Sequence, residues 1–128
     1  MSLLKIENLN VKFMTAQGLI HVLRDVNFQL EEGESLGIVG ESGSGKSVTS
    51  LAIFDLLASN AVIDSGTIHF MGRDILKMTE AEKLAIRGGK ISMIFQDPMS
   101  SLNPCFNVEY QISEVLKIHQ NLHGSSLR

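Results

Sequence analysis

The chain has 128 residues, 44% of them hydrophobic, and carries 11 basic against 14 acidic side chains for a net charge of -3 and a pI near 5.7. That is enough apolar material for the core of one globular unit, and the acidic balance, without a long block of either sign, excludes broad electrostatic capture of nucleic acid. A single cysteine, Cys105, makes no internal disulfide and reads as an inert thiol, the start "MSLLKIENLNVKF" is too charged for a secretion signal, and no run of about 18 apolar residues predicts a membrane helix.

In "LNVKF" the apolar Leu9, Val11 and Phe13 alternate with Asn10 and Lys12, and in "VNFQL" Val26, Phe28 and Leu30 alternate with Asn27 and Gln29. Period-two alternation predicts two half-buried strands, antiparallel and joined through the turn-prone "TAQG". "EEGE" breaks the second strand. "SLGIVG", residues 35–40, then runs without alternation, as expected for a strand covered on both faces.

After a glycine-rich segment, "KSVTSLAIFDLLAS" sets Val48, Leu51, Ala52, Asp55 and Leu56 at helical spacing, so a helix is expected to begin near Gly45. "GTIHFMG" predicts a short strand. "TEAEKLAIRGG" predicts a helix opened by a Thr79 and Glu82 capping box and stopped by Gly88 and Gly89. "KISMIF" repeats the buried-strand pattern, and "NVEYQISEVLKIHQNL" predicts a helix with Val108, Ile112, Val115, Leu116 and His119 on one side. No internal repeat or linker divides the chain. The expected fold is an α/β unit with an N-terminal β hairpin.

The most informative stretch is "GIVGESGSGKS", residues 37–47, in which Gly40, Gly43, Gly45, Lys46 and Ser47 fit G-x-x-x-x-G-K-[ST] between an apolar run and a helix. Glycines there let the backbone wrap so that several N–H groups point at phosphate oxygens, and the following helix offers its positive end to the same anion. Lys46 would reach the β- and γ-phosphates, and the Ser47 hydroxyl would ligate Mg2+. The second informative stretch is "MIFQDPMSSLNP", residues 93–104. Pro98 and Pro104 bias their preceding residues away from helix, so an extended loop is expected after Gln96. A glutamine at the end of a sheet strand lies near the ligand edge of such folds, where its amide would ligate Mg2+ or orient a water.

With these two stretches the sequence resembles the ATP-binding subunits of ABC transporters, specifically the dipeptide/oligopeptide importers, over residues 3 to 120, including the approach "LRDVNFQLEEGE". The resemblance implies a P-loop NTPase fold: an antiparallel β region over 1–33, a P-loop core over 34–96, and a Q-loop with the start of a helical subdomain over 97–128. It implies ATP and Mg2+ as cofactors. The nucleotide contacts would come from Gly40, Glu41, Ser42, Gly43, Ser44, Gly45, Lys46, Ser47 and Val48, with Lys46 and Gln96 serving catalysis, Ser47 and Gln96 sharing the magnesium, and Phe13 stacking on adenine. Phe13 also suits an ordinary core position at the end of a strand. Many members place a threonine directly after the magnesium-binding serine to touch the α-phosphate. Here Val48 occupies that place and Thr49 follows.

The same resemblance implies integral-membrane permease subunits, a second ATPase subunit and, indirectly, a peptide-binding protein as partners, at the cytoplasmic face of the inner membrane. Helix 107–122 would lie in the subdomain that receives the permeases, although it equally fits a plain amphipathic packing helix. The LSGGQ-type signature, the Asp-Glu strand end, the D-loop and the switch histidine of the family have no counterpart in this sequence. After Gln96 the carboxylates are Asp97, Glu109 and Glu114. The chain therefore reads as an N-terminal portion or truncated product, expected to bind nucleotide without turning it over alone, and to leave an apolar sheet edge unpaired. His119 and His123 have the i, i+4 spacing of a zinc pair but no third ligand, and Met71, Met78, Met93 and Met99 suit packing or loop positions.

Overall fold

Strands β1 (Ser2–Thr15) and β2 (Gly18–Glu31) form the expected antiparallel hairpin in this computed structural model, which describes residues 2–97 and 99–124. Strand β3 (Ala61–Phe70) pairs antiparallel with the other edge of β1, and the short β4 (Arg73–Asp74) follows it, giving the sheet order β2-β1-β3-β4. β3 is longer than "GTIHFMG" alone predicts.

Strict alternation along β1 would turn Asn8 inward after Leu4 and Ile6. Instead Leu4, Ile6, Leu9 and Val11 are buried, a three-residue step between Ile6 and Leu9. Asn8, with φ 49°, absorbs the extra residue as a bulge. Ile6 faces Phe28 and Leu9 faces Val26 across the hairpin, and a compensating extra residue in β2 precedes the Val11 and Leu23 pair. Asp25, also at φ 49°, lies within that compensating step. On the other side Gly66, with φ +104°, lies against this bulge. A Cβ there would fall 2.5 Å from Leu9 Cα and 2.6 Å from the Asn8 carbonyl oxygen, so only glycine fits.

One face of this sheet holds the core: Ile6, Leu9, Val11, Leu23 and Ile68 are nearly inaccessible, joined by Ile75 and by Ala52 of helix α1 (Lys46–Ile53). The helix begins where expected but ends sooner. Asp55 takes φ 51°, the Leu56 amide donates to the Leu51 carbonyl at 2.9 Å, and the Asp55 amide donates to the Ala52 carbonyl at 3.0 Å. This closing pair of hydrogen bonds ends the helix before Leu56, which is left exposed.

Two segments expected as buried strands are not strands. Residues 34–40 and 92–95 lie outside any ladder, and Val39 and Ile94 are 93% and 98% exposed. A strand inside a parallel sheet needs neighbours to satisfy its backbone groups on both edges. Among the described residues the one parallel contact is a single bridge between Arg87 and Ile91. The apolar runs carry the composition of buried strands without the partners, so neither forms part of a sheet.

The chain divides into two compact units between Thr79 and Glu80. In the second, α2 (Glu80–Ile86) begins directly after Thr79 and stops before Gly88, as expected. Lys83 is buried, with its ammonium 3.0 Å from Glu80. Helix α3 (Val108–Gln120) is capped by Asn107, whose side chain accepts from the Tyr110 amide at 2.8 Å.

Candidate functional site

The loop ahead of α1 folds around its own lysine. Gly45, the residue before the helix, takes φ +96°, a left-handed conformation that favours glycine, and a Cβ there would also meet the Leu23 side chain, 2.6 Å from Cδ2. The Ser44 amide donates to the Glu41 carbonyl at 3.2 Å, which turns the chain back on itself. Lys46 Nζ donates to the Gly40 carbonyl at 2.5 Å, the Glu41 carbonyl at 2.8 Å and Ser44 Oγ at 3.3 Å. A cavity of about 430 Å3 lies beside the loop, lined by Leu23, Phe28, Ile38, Gly45, Lys46 and Thr49 among others.

Ser42, Gly43 and Ser47 are exposed, with Ser47 on the first turn of α1, and Val48 is half-buried beside it. Thr49 is 5% exposed and points inward. Phe13 belongs to the same unit: it is half-buried on β1 and paired with Ile20 on one side and Ala61 on the other. The first unit thus contains the whole of the predicted set except Gln96.

Gln96 is exposed and lies in the second unit. The segment after it is not helical, as expected, but it is turned rather than extended. Asp97 Oδ1 accepts from the Met99 amide at 3.0 Å, and the Asp97 carbonyl accepts from the hydroxyls of Ser100 and Ser101, each at 3.1 Å. Short polar side chains beside backbone groups make such turns, and they outweigh the extended bias of prolines. Pro98 lies outside the described residues. His119 packs its ring over Gly88, where a Cβ would fall 2.4 Å from Nε2, and no cluster of three metal-ligating side chains occurs among the described residues. Cys105 is a free, exposed thiol.

Two organising residues escape a reading by pattern. Gln111 donates to the carbonyls of Asn103 at 3.1 Å and Phe106 at 2.9 Å and accepts from the Asn103 amide at 2.8 Å, so α3 holds the loop before it. Asn10 accepts from the Asp25 amide at 3.1 Å and donates to the Asn8 carbonyl at 2.8 Å and to Ser65 Oγ at 3.1 Å, stitching three strands at the bulge. The available signal was an amide on a structured element beside turn-forming residues, which is too common to single them out.

A glycine loop closed on a lysine, set before a helix and beside an antiparallel sheet, is the N-terminal part of a P-loop NTPase fold. The chain belongs to the ABC transporter family, whose model matches residues 23–125. It is 50% identical over 121 residues to the oligopeptide transport ATP-binding protein OppD of Escherichia coli strain K12, covering 94% of this chain and 36% of that protein. It is also 50% identical over 116 residues to the dipeptide transport ATP-binding protein DppD of Lactococcus lactis, covering 91% of this chain and 33% of the relative. The chain therefore spans about a third of the length of these relatives. Among solved structures it resembles the ATP-binding cassette MJ0796 bound to ADP and Pi, with a TM-score of 0.80 at 25% identity over 95% of this chain and 50% of that one. A dimeric structure of the same cassette gives a TM-score of 0.78, again at 25% identity over 95% of this chain, and covers 49% of its own.

Proposed function

We propose that this chain is the nucleotide-binding part of an ATP-binding subunit that energises a peptide importer, coupling ATP binding and hydrolysis to transport. The observation that carries the reading is the lysine-closed loop over residues 40–46, set before α1 in a chain half identical to peptide-transport ATP-binding proteins. ATP phosphates would take the loop amides from Gly40 to Val48, with Lys46 reaching the β- and γ-phosphates. The exposed Ser47 hydroxyl fits a Mg2+ ligand, and the exposed Gln96 amide is its proposed companion. Bound Mg2+ supplies charge neutralisation on the phosphate oxygens. The half-buried Phe13 is the proposed platform for adenine, a stacking contact that would be worth about 1 to 3 kcal/mol.

Among the described residues no helix is long and apolar enough to cross a membrane. Transport would run through permease subunits at the cytoplasmic face of the membrane, with a second ATPase subunit completing the dimer and a peptide-binding protein delivering cargo. A groove of about 800 Å3 along α3, lined in part by Leu102, Phe106, Tyr110, Ile112 and Val115, is the proposed seat for the permease.

A second reading is favoured by the carboxylates that follow Gln96. Asp97 is engaged in a turn, Glu109 and Glu114 lie on α3, and none of them ends a buried strand. Such a carboxylate is what holds magnesium and polarises the attacking water in hydrolysis. The 128-residue polypeptide would then bind nucleotide without hydrolysing it. Thermal unfolding with and without millimolar MgATP, beside Lys46→Ala, tests binding: a transition raised by MgATP only when Lys46 is present is expected, and indifference to nucleotide overturns the function. A steady-state ATPase rate well above that of Lys46→Ala removes the second reading.

A further inference from the structure

The tip of the hairpin between β1 and β2 has little burial to hold it: Met14, Leu19 and Ile20 are all more than half exposed. Hydrogen bonds hold it instead. Within the turn, Thr15 Oγ1 donates to the Gly18 carbonyl at 2.8 Å and accepts from the Gln17 amide at 3.3 Å. From outside the hairpin, Asn60 clasps both backbone groups of Met14. Its carbonyl accepts from the Met14 amide at 2.8 Å, and its side-chain amide donates to the Met14 carbonyl at 3.0 Å. β3 begins at Ala61, so the Asn60 side chain supplies the donor for one more rung beyond the end of the ladder. The neighbouring rung is Phe13, which faces Ala61 on β3 and Ile20 on β2. Val11 and Phe13 pair with Ile63 and Ala61 in unbroken register, so they share one face of the sheet. Val11 also faces Leu23, the residue that meets the glycine loop at Gly45, so Phe13 stands on the face that carries the loop.

We propose that Asn60 is a positioning residue for base recognition: by clasping Met14 it fixes the end of β1 that presents Phe13 to adenine. The inference rests on the nucleotide reading above, with Phe13 as the base platform, and adds the residue that keeps that platform in place. A stacking contact made only while the platform is in place weakens as that fraction falls, until the contact is lost altogether. The phosphate contacts of residues 40–48 are made without Asn60. Asn60 therefore acts on ligands that carry a base and not on a bare polyphosphate chain.

The test uses the full 128-residue chain with Asn60→Ala, Asn60→Asp, Phe13→Ala and the double variant Phe13→Ala with Asn60→Ala. Both Asn60 variants keep the backbone carbonyl that accepts from Met14 and lose the side-chain donor, and the aspartate also keeps the shape. Calorimetric titration compares MgATP with magnesium tripolyphosphate, which has the phosphates and no base. Phe13→Ala is expected to weaken MgATP binding about fivefold or more, and each Asn60 variant about threefold. Tripolyphosphate affinity is expected to stay unmoved in all of them, which also shows the loop intact. In the Phe13→Ala background, Asn60→Ala is expected to add nothing. An equal loss for both ligands, a loss that persists without Phe13, or no loss at all overturns the positioning role. MgATP affinity unmoved by Phe13→Ala overturns the base platform and the role of Asn60 with it, and leaves the phosphate loop standing. A parent chain that binds neither ligand overturns the nucleotide reading itself.

Discussion

The Thr49 hydroxyl and the Thr49 amide both end on the Gly45 carbonyl, at 2.9 and 2.8 Å. Thr49 is thereby committed to the start of α1 and is turned inward, 5% exposed. A hydroxyl one place earlier, where Val48 stands, would sit on a different side of the helix, because successive residues are about 100° apart around its axis. The one-residue offset in the sequence thus converts a group that could touch ligand into one that bonds the helix to its own first carbonyl.

Thr49→Val removes the hydroxyl while keeping the shape. It is expected to lower unfolding free energy by about 1 kcal/mol and to leave MgATP affinity unchanged. Urea unfolding and calorimetric titration of the same samples check this, and reduced affinity at unchanged stability would show that the hydroxyl serves the ligand.

Ser47 is exposed on the first turn of α1 and is the proposed magnesium ligand in the loop. MgATP at about 100 times its dissociation constant should stabilise the chain by about 2.7 kcal/mol. Chelating the metal with EDTA should reduce that stabilisation in the parent, whereas Ser47→Ala should already show the reduced value and respond little to EDTA. A thermal shift in Ser47→Ala that stays as large and as EDTA-sensitive as in the parent contradicts the assignment.

Asn10 bonds the Asp25 amide, the Asn8 carbonyl and Ser65 Oγ, and its Oδ1 also lies 3.0 Å from His21 Nε2. Asn10→Ala leaves the bulge without its stitching, and a cost of about 2 kcal/mol is expected, since several groups lose partners together. Denaturant midpoints measure it. A change below about 0.5 kcal/mol, the usual range of an ordinary surface site, would mean that water replaces the amide at no cost.

Gln111 holds the turn that precedes α3 through the carbonyls of Asn103 and Phe106. Gln111→Met keeps the length and removes the hydrogen bonds. Hydrogen exchange of the Asn103 amide, which donates to Gln111 Oε1 at 2.8 Å, is expected to accelerate about tenfold, while exchange within β1 stays unchanged. Equal acceleration in both places would indicate global destabilisation instead.

Much of the local structure was legible because it depends on neighbours in sequence. The alternation around Leu9 and Val26 predicted the hairpin, Gly45 ahead of Lys46 marked the helix start, and the spacing of Val108, Ile112, Val115 and Leu116 marked α3. The glycine and lysine spacing of residues 40–47 placed the loop for the same reason, since a backbone that wraps an anion needs those residue types in that order. The family resemblance was legible too, and the match over residues 23–125 agrees with it.

What the sequence by itself determined, then, is which segments favour strand, helix or loop, and which loop carries the phosphate-binding pattern. Tertiary structure alone decided that Asn8 bulges so that Ile6 and Leu9 share the core, that the apolar runs at 34–40 and 92–95 stay outside any ladder, and that Lys46 turns back onto Gly40, Glu41 and Ser44. The physical reason is that propensity and periodicity are properties of adjacent residues. A ladder, a bulge and a satisfied ammonium each depend on which distant group arrives to complete the hydrogen bond.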